Sequence, residues 1–268
     1  MGHGRVRQVL RTYVRMQLAQ LQSGMSHRGD FWVTIVGVIL QQSVSLVFLW
    51  VFFSQVTELG GWSVWDMAIL QGLVLLTMAF PDLVGDGSWQ LRFDVNQGNF
   101  DRVLVRPMPP VMQQAASRTA GAGVGNLLLG TVALGIGLSH AAVAWAWWSI
   151  PLMVLAVLSG TVIQLSINLI TNMGVFWDPG ANTAIPTLVS RMREFAKFPL
   201  TIYDGALRIF VTILPLSFLA YFPSLLLLDR GGPERWLGLA SPLVALLLAS
   251  IAAVLWRIGV NKYQGVGH

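Results

Sequence analysis

Cysteine is absent from the 268-residue chain, which excludes disulfides and thiolate metal sites. Charge is scarce: 11% of the residues are Asp, Glu, Lys or Arg, against roughly 25% in a soluble globular domain. Lysine occurs only as Lys197 and Lys262, and neither follows a glycine. A G-x-x-x-x-G-K-[ST] loop cradling ATP phosphates is therefore excluded. The histidines, His3, His27, His140 and His268, are far apart and form no ligand pair, and H-E-x-x-H does not occur. No Ser/His/Asp set or paired carboxylate falls on adjoining apolar stretches, so a membrane hydrolase lacks its parts. The Arg-rich start has no compact apolar core followed by a small-residue cleavage site, and does not read as a cleavable signal peptide.

Apolar residues make up 54% of the chain, and the mean hydropathy is +0.64. A soluble enzyme, a nucleic-acid-binding module and a disordered chain are excluded on that balance. The expected fold is an all-α integral membrane protein, since long uncharged runs in lipid satisfy their backbone as helices. At roughly 20 residues per span, the runs predict six transmembrane helices: 31–57, 62–84, 111–138, 150–172, 209–228 and 236–256. The expected organisation is an interfacial arm (1–30), a transmembrane domain (31–258) and a tail (259–268). Within the domain, 86–110 is a cytoplasmic segment and 178–207 a further cytoplasmic connection, too polar and too broken by Pro179, Pro186 and Pro199 to span.

The net charge of +5 and isoelectric point of about 10.2 are a topology signal. On this map all of the 17 Lys and Arg except Arg230 and Arg235 lie on one side. The positive-inside rule places that side, with both termini, in the cytoplasm. No nucleic-acid partner is expected. Trp62, Trp65, Trp145, Trp147, Trp148 and Trp236 fall at predicted outer ends and Trp32, Trp89, Trp177 and Trp256 at inner ends, where the ring anchors at the headgroup level.

Residues 5–22 read as a basic amphipathic helix. Val6, Leu10, Tyr13, Val14, Leu18 and Leu21 recur at three- and four-residue spacing, with Arg7, Arg11 and Arg15 on another face. Such a helix lies in the interface among anionic headgroups. A contact with a cytoplasmic partner is equally open.

Residues 98–107 read as one short helix. Asn99 is placed to cap it, Asp101 and Arg106 suit its dipole, and Pro107 stops it. Arg102 and Arg106, four apart, share a face. A knob of this kind transmits force if a soluble partner grips it; a plain interfacial helix is the alternative.

Within the spans, Gly160, Gln164, Asn168 and Asn172 form one polar stripe, and Gln41, Gln42 and Ser45 another. They suit either interhelix hydrogen bonds or a substrate path. Ser117, Gly121 and Gly125 permit close helix packing. Pro215 and Pro223 mark a kink or a hairpin of half-helices. Asp82, beside Pro81, is the nearest thing to a proton-coupling carboxylate, and its place suggests an interfacial role. The halves show no repeat of the kind many secondary carriers have.

The chain resembles the permease subunits of ATP-binding-cassette (ABC) transporters of the type-2 exporter class. Residues 98–107 (GNFDRVLVRP) resemble that family's G-x-hydrophobic-D-x-x-L-x-R-P segment. Residues 198–228 resemble its Pro-Tyr-Pro-Pro pattern, here Pro199, Tyr203, Pro215 and Pro223. The resemblance implies a coupling helix that meets an ATPase through Gly98, Phe100, Asp101, Arg102, Leu104, Arg106 and Pro107. It implies two ABC ATPase subunits, a second permease chain (identical or homologous), and a bacterial plasma (inner) membrane location. No cofactor is expected in this chain; ATP and Mg belong to the ATPases. The implied cargo is a small amphipathic or hydrophobic compound: a drug, antibiotic, lipid or precursor. The alternatives are an assembly or lipid-processing protein with no ATPase partner, and a proton-coupled carrier.

Overall fold

The computed structural model describes residues 2–26, 28–178, 180 and 183–263, with side chains from Arg7 onward. His3, Arg5 and Val6 therefore have no described side chain. His27, Pro179, His268 and the last residues of the tail, 264–268, lie outside the described residues. Twelve α-helices are present among them: α1 (Gly2–Ser26), α2 (Arg28–Phe53), α3 (Val64–Val84), α4 (Leu91–Asn96), α5 (Phe100–Leu104), α6 (Pro110–Ala115), α7 (Ala122–His140), α8 (Ser149–Asn172), α9 (Ala184–Met192), α10 (Gly205–Ile213), α11 (Tyr221–Leu227) and α12 (Ser241–Lys262). No β-strand occurs among the described residues, so the protein is an all-α membrane protein.

Five helical stretches are long and apolar enough to cross a membrane: α2, α3, α7, α8 with its 3-10 extension to Phe176, and α12 with the 3-10 turns before it. The central one is α3. Its start is fixed by a capping box, in which Ser63 Oγ accepts from Asp66 N and Ser63 N donates to Asp66 Oδ2 at 2.9 Å. Met67, Ile69, Leu70, Leu73 and Val74 along it are fully buried. By contrast α2 shows Val33, Leu40, Val44, Phe48 and Trp50 to the surroundings, as a helix bathed in lipid does.

Close approach of α3 and α7 rests on glycines. A Cβ on Gly137 would lie 2.7 Å from Ile69 N, one on Gly130 3.0 Å from Leu76 N, and one on Gly123 2.7 Å from Ala79 O. These three, seven apart, form a seam along the whole antiparallel pair. The stripe expected at 117, 121 and 125 serves a second neighbour: Gly121 meets Phe31, and Gly125 meets Ile35 O and Val38 of α2. Ser117 falls in the loop before α7. Without a hydrophobic force between helices in lipid, such backbone proximity supplies the packing energy.

The bundle has two distinct ends. At the terminal end α1 and the end of α12 lie beside Val84 and residues 86–120. At the far end sit the loops after α2 and α7. Gly60, in the first of these loops, faces Thr201 and Ile202: a Cβ there would meet Thr201 Oγ1 at 3.1 Å and Ile202 Cγ2 at 3.5 Å. Arg193, eight residues earlier, interacts with Asp82 and Asp86 at the terminal end. The chain therefore crosses the bundle within 184–202, as α9, a 3-10 helix (Arg193–Lys197) and a 3-10 turn (Leu200–Ile202).

This corrects two expectations. The stretch 178–207 is not a connection confined to one side, and 209–228 is not a span. The pair α10 and Leu216–Leu227 is bent by 64° at Pro215. It starts near Tyr203 and dips until Leu219 O lies 3.5 Å from a Cβ on Gly160, midway along α8. It then returns to the far end, where Tyr221 packs on Trp62 at 5.7 Å and Leu227 O accepts from Ala144 N. It is a re-entrant hairpin. Arg230 closes that end, with Nη1 2.8 Å from Asp66 Oδ2 and 2.7 Å from Gly61 O. With Thr201 at the far end, Arg208 leaves the set of basic residues at the terminal end, while Arg7, Arg11, Arg15, Arg92, Arg102, Arg106, Arg118, Arg257 and Lys262 remain in it.

Boundaries elsewhere shift little. The span 150–172 is α8. The span 111–138 divides into α6 and α7, and 236–256 begins with 3-10 turns.

Two outcomes follow. On the Cys-free chain, Thr201→Cys reacts with an impermeant maleimide from the same side as Ser139→Cys and the opposite side to Ser26→Cys; labelling of Thr201→Cys together with Ser26→Cys refutes the crossing. Gly130→Leu, which forces a side chain against Leu75 and Leu76, destabilises the detergent-solubilised protein by about 1–3 kcal/mol or more, read as a lower thermal midpoint.

Candidate functional site

Three features converge at the terminal end or run inward from it. The first is the segment 86–110. It turns through Gly98, whose φ of +71° is the left-handed region that glycine adopts without steric cost. Phe100 then inserts inward and is fully buried. Its ring packs edge-to-face on Phe176 at 5.3 Å, Trp256 at 6.0 Å and Tyr263 at 5.2 Å. The base of the segment is thus pinned to the ends of α8 and α12.

Gln113 ties the other side, its Nε2 donating to Val103 O at 3.0 Å and Met108 O at 2.7 Å. Between these anchors Asp101, Arg102, Leu104, Val105, Arg106 and Pro107 project outward, Val105 being 83% exposed. Gly98 is half-buried.

The helix is shorter than the sequence suggests. Asn99 makes no side-chain cap; its Nδ2 instead reaches Gln97 Oε1 at 3.4 Å. The residue before a proline is disfavoured in helical conformation, so α5 stops at Leu104 and Arg106 lies beyond it. Arg102 and Arg106 therefore do not share one helical face. Phe100 is an anchor beneath the exposed tip, not part of its surface. Val105 and Gln113 were missed; an apolar residue held between Arg102 and Arg106 was the available signal for the first.

The second feature is α1. Gln17 is buried and its Nε2 donates to Val84 O at 2.6 Å, while its Oε1 accepts from Thr119 Oγ1 at 2.8 Å. Tyr13 OH also donates to Val84 O, and burial pushes the Tyr13 hydroxyl above its ordinary pKa. The arm is clamped to the end of α3 through polar groups, not through its apolar row. Leu10, Val14 and Leu18 are each more than half exposed and face away from the bundle. The Arg7/Arg11/Arg15 row sits about 60° further round the helix. One helix thus offers three surfaces: to the protein, to lipid and to water.

The third feature is a buried polar chain. Asn126 Nδ2 donates to Asp82 Oδ2 at 3.1 Å. Gln42 Nε2 donates to Asn126 Oδ1 at 3.2 Å, and Gln42 Oε1 accepts from Lys197 Nζ at 2.6 Å. Lys197, 2% exposed, pairs with Glu194 Oε2 at 2.6 Å. This chain links α2, α3, α7 and the broken pass. Of the candidate path residues only Gln42 takes part. Gln41 is exposed and Ser45 half-buried on α2. Gln164, Asn168 and Asn172 are buried inside the chain; Asn172 Nδ2 donates to Asn168 O at 2.8 Å, and Gln164 has no hydrogen-bond partner among the described residues. The stripe of α8 is thus closed in within one copy, whereas on α2 only Gln42 turns inward and Gln41 stays exposed. Nothing in the sequence spacing of Lys197, Asn126 and Asp82 shows that they meet.

Near the start of the knob Asp86 is buried and lies 2.9 Å from Arg118 Nε. Burial raises the Asp86 pKa, and the Arg118 and Arg193 charges oppose the rise. Asp94 is raised by burial as well, opposed by its hydrogen bond from Gln114. Among the described residues no group of three or more His, Asp or Glu is placed to hold a metal ion.

A multi-pass bundle with a re-entrant hairpin at one end and a protruding knob at the other defines a helical membrane protein. The chain matches the model of the family described as ABC-2 family transporter protein over residues 39–267 and belongs to that family. It is thus a membrane permease of an ABC transporter, a transport subunit of a family that associates with ABC ATPases. No curated protein and no solved structure matches it.

The aromatic anchor is testable. Phe100→Ala costs about 3–5 kcal/mol, measured as a loss of thermal stability. A midpoint equal to that of the parent shows the ring is not the anchor.

Proposed function

We propose that the chain builds, with a second identical or homologous permease chain, the translocation path of an ABC exporter in the bacterial inner membrane. The terminal end is cytoplasmic. It carries most of the basic residues, as the positive-inside rule requires. Two ATPase subunits bind there and hold the ATP and Mg. The cargo is a small amphipathic or hydrophobic compound.

The observation that carries this reading is the knob. Its tip, formed by Asp101, Arg102 and Leu104 to Pro107, is exposed, mixed apolar and charged, and stiffened by Gln113. Its base is locked through Phe100 to Phe176 and Trp256. A partner gripping Val105, Arg102 and Arg106 therefore moves the ends of α8 and α12 rather than bending a loose loop. A path between two copies is supported by the packing: the polar stripe of α8 is closed in, while α2 and α10 leave wide apolar faces free. On α10 these include Ile209 at 61% and Ile213 at 74% exposure. A cargo that partitions into lipid reaches such a seam from the side.

The test is co-expression with candidate ATPase subunits, pull-down, and reconstitution. Arg102→Glu with Arg106→Glu, and separately Val105→Asp, reduce permease-dependent ATP turnover by about tenfold or more, a loss of roughly 1.4 kcal/mol of coupling. Thermal stability is unchanged because the side chains are exposed. Undiminished turnover and unchanged co-purification in both variants refute the docking assignment.

A further inference from the structure

Arg230 is the far-end cation that pairs with a buried carboxylate: the Asp66 side chain is 1% exposed. The backbone of Arg230 belongs to the hairpin. Its N–H donates to Leu225 O at 2.9 Å, across Asp229, whose φ of +54° closes α11 in the left-handed region. The side chain of Arg230 belongs to α3. Nη1 meets both Asp66 Oδ2 and Gly61 O. The same Asp66 Oδ2 accepts from Ser63 N and, at 2.8 Å, from Ser63 Oγ of the capping box. One side chain therefore ties the last turn of α11 to the first turn of α3.

Inward of this tie, Tyr221 of α11 packs on Trp62. Ser224, fully buried, is three residues on and shares that side of the helix. On another side α11 is held to the 3-10 turns before α12: a Cβ on Gly238 would lie 2.7 Å from Phe222 O. A separation at the far end thus parts α11 from α3 and its preceding loop, and leaves α11 with α12. Two features make the tie breakable. The Arg230 side chain is 37% exposed, so water can replace either of its bonds. Asp66 Oδ1 is buried with no hydrogen-bond partner among the described residues. That unmet acceptor is a cost of the closed form, and water entering between α3 and α11 removes it.

We propose that Arg230 is a releasable clasp: it holds α11 on α3 at the far end, and its release in the transport cycle opens a hydrated cleft between them. The closed clasp stands on the geometry alone, and its release in the cycle rests on the transport reading above. Arg230 is a positioning residue, because it acts through Asp66 and Gly61 rather than on cargo. Ser224 and Tyr221 lie on the side of α11 that the cleft uncovers.

The test uses the full-length chain in lipid nanodiscs, with Ser224→Cys as the single thiol and a water-soluble maleimide as probe. With Arg230 intact the thiol reacts slowly. Arg230→Gln speeds the reaction at least about tenfold, and Arg230→Lys, which keeps a cation for Asp66, restores the slow rate. A control thiol at the terminal end, Ser88→Cys, stays slow in all three backgrounds. In the complex with ATPase subunits and Arg230 intact, ATP turnover speeds the Ser224→Cys reaction by a similar factor, a response that a fixed structural pin does not give. Unchanged labelling of Ser224→Cys in Arg230→Gln overturns the clasp, and so does equal acceleration of Ser88→Cys, which marks global unfolding. Permease-dependent turnover with no change in Ser224→Cys labelling overturns its release. If no candidate ATPase gives permease-dependent turnover, the transport reading fails, and the Arg230→Gln comparison decides the clasp by itself.

Discussion

Lys197 enters the bundle with its ammonium held between Gln42 and Glu194, and the rest of the polar architecture follows from the need to place that charge. Inside a bilayer a charged or polar group finds its partner within the protein or raises the energy of the fold by several kcal/mol. Gln42 accepts from Lys197 and donates to Asn126, and Asn126 donates to Asp82. Three apolar helices thereby give up one position each to a chain that lets the broken pass cross among them. With the pass in that position, Thr201 reaches the loop at Gly60. The hairpin of α10 and α11 then begins and ends on the same side.

The terminal end solves a different problem, that of holding a protruding segment firmly on the bundle. Phe100 is the contact that matters there. Its three aromatic neighbours come from the ends of α8 and α12 and from the chain just beyond α12. Packed rings transmit displacement because a close-packed interior has little free volume to absorb it. The clamped arm adds a second tie, through Gln17, between α3 and the loop before α7.

Much of this was legible in the residues. The apolar runs around α2, α3 and α8 carry their own periodicity and length, and lipid leaves them no alternative to a helix. The projecting segment was visible from its Gly, Asp, Arg and Pro spacing. The pass within 184–202 was not, since by composition it reads as a polar loop. Only its partners on three other helices make it tolerable inside the bundle. The resemblance puts Phe100 on the contact surface with its neighbours; its burial depends on Phe176 and Trp256, far away in the chain. The arm's row of Leu10, Val14 and Leu18 was correctly seen as apolar, yet Tyr13 and Gln17 make the contact with the protein.

The sequence by itself determined the class of protein, most of its spans, the charge asymmetry and the position of the knob. Each of these depends on local composition or on side-chain spacing along one helix. The tertiary structure alone decided which polar residues meet, which way Phe100 points, and that Pro215 marks the turn of a hairpin rather than a kink in a span. Those outcomes depend on partners separated by tens of residues or more, such as Gln42 and Lys197, and no pattern along the chain encodes the distance between them.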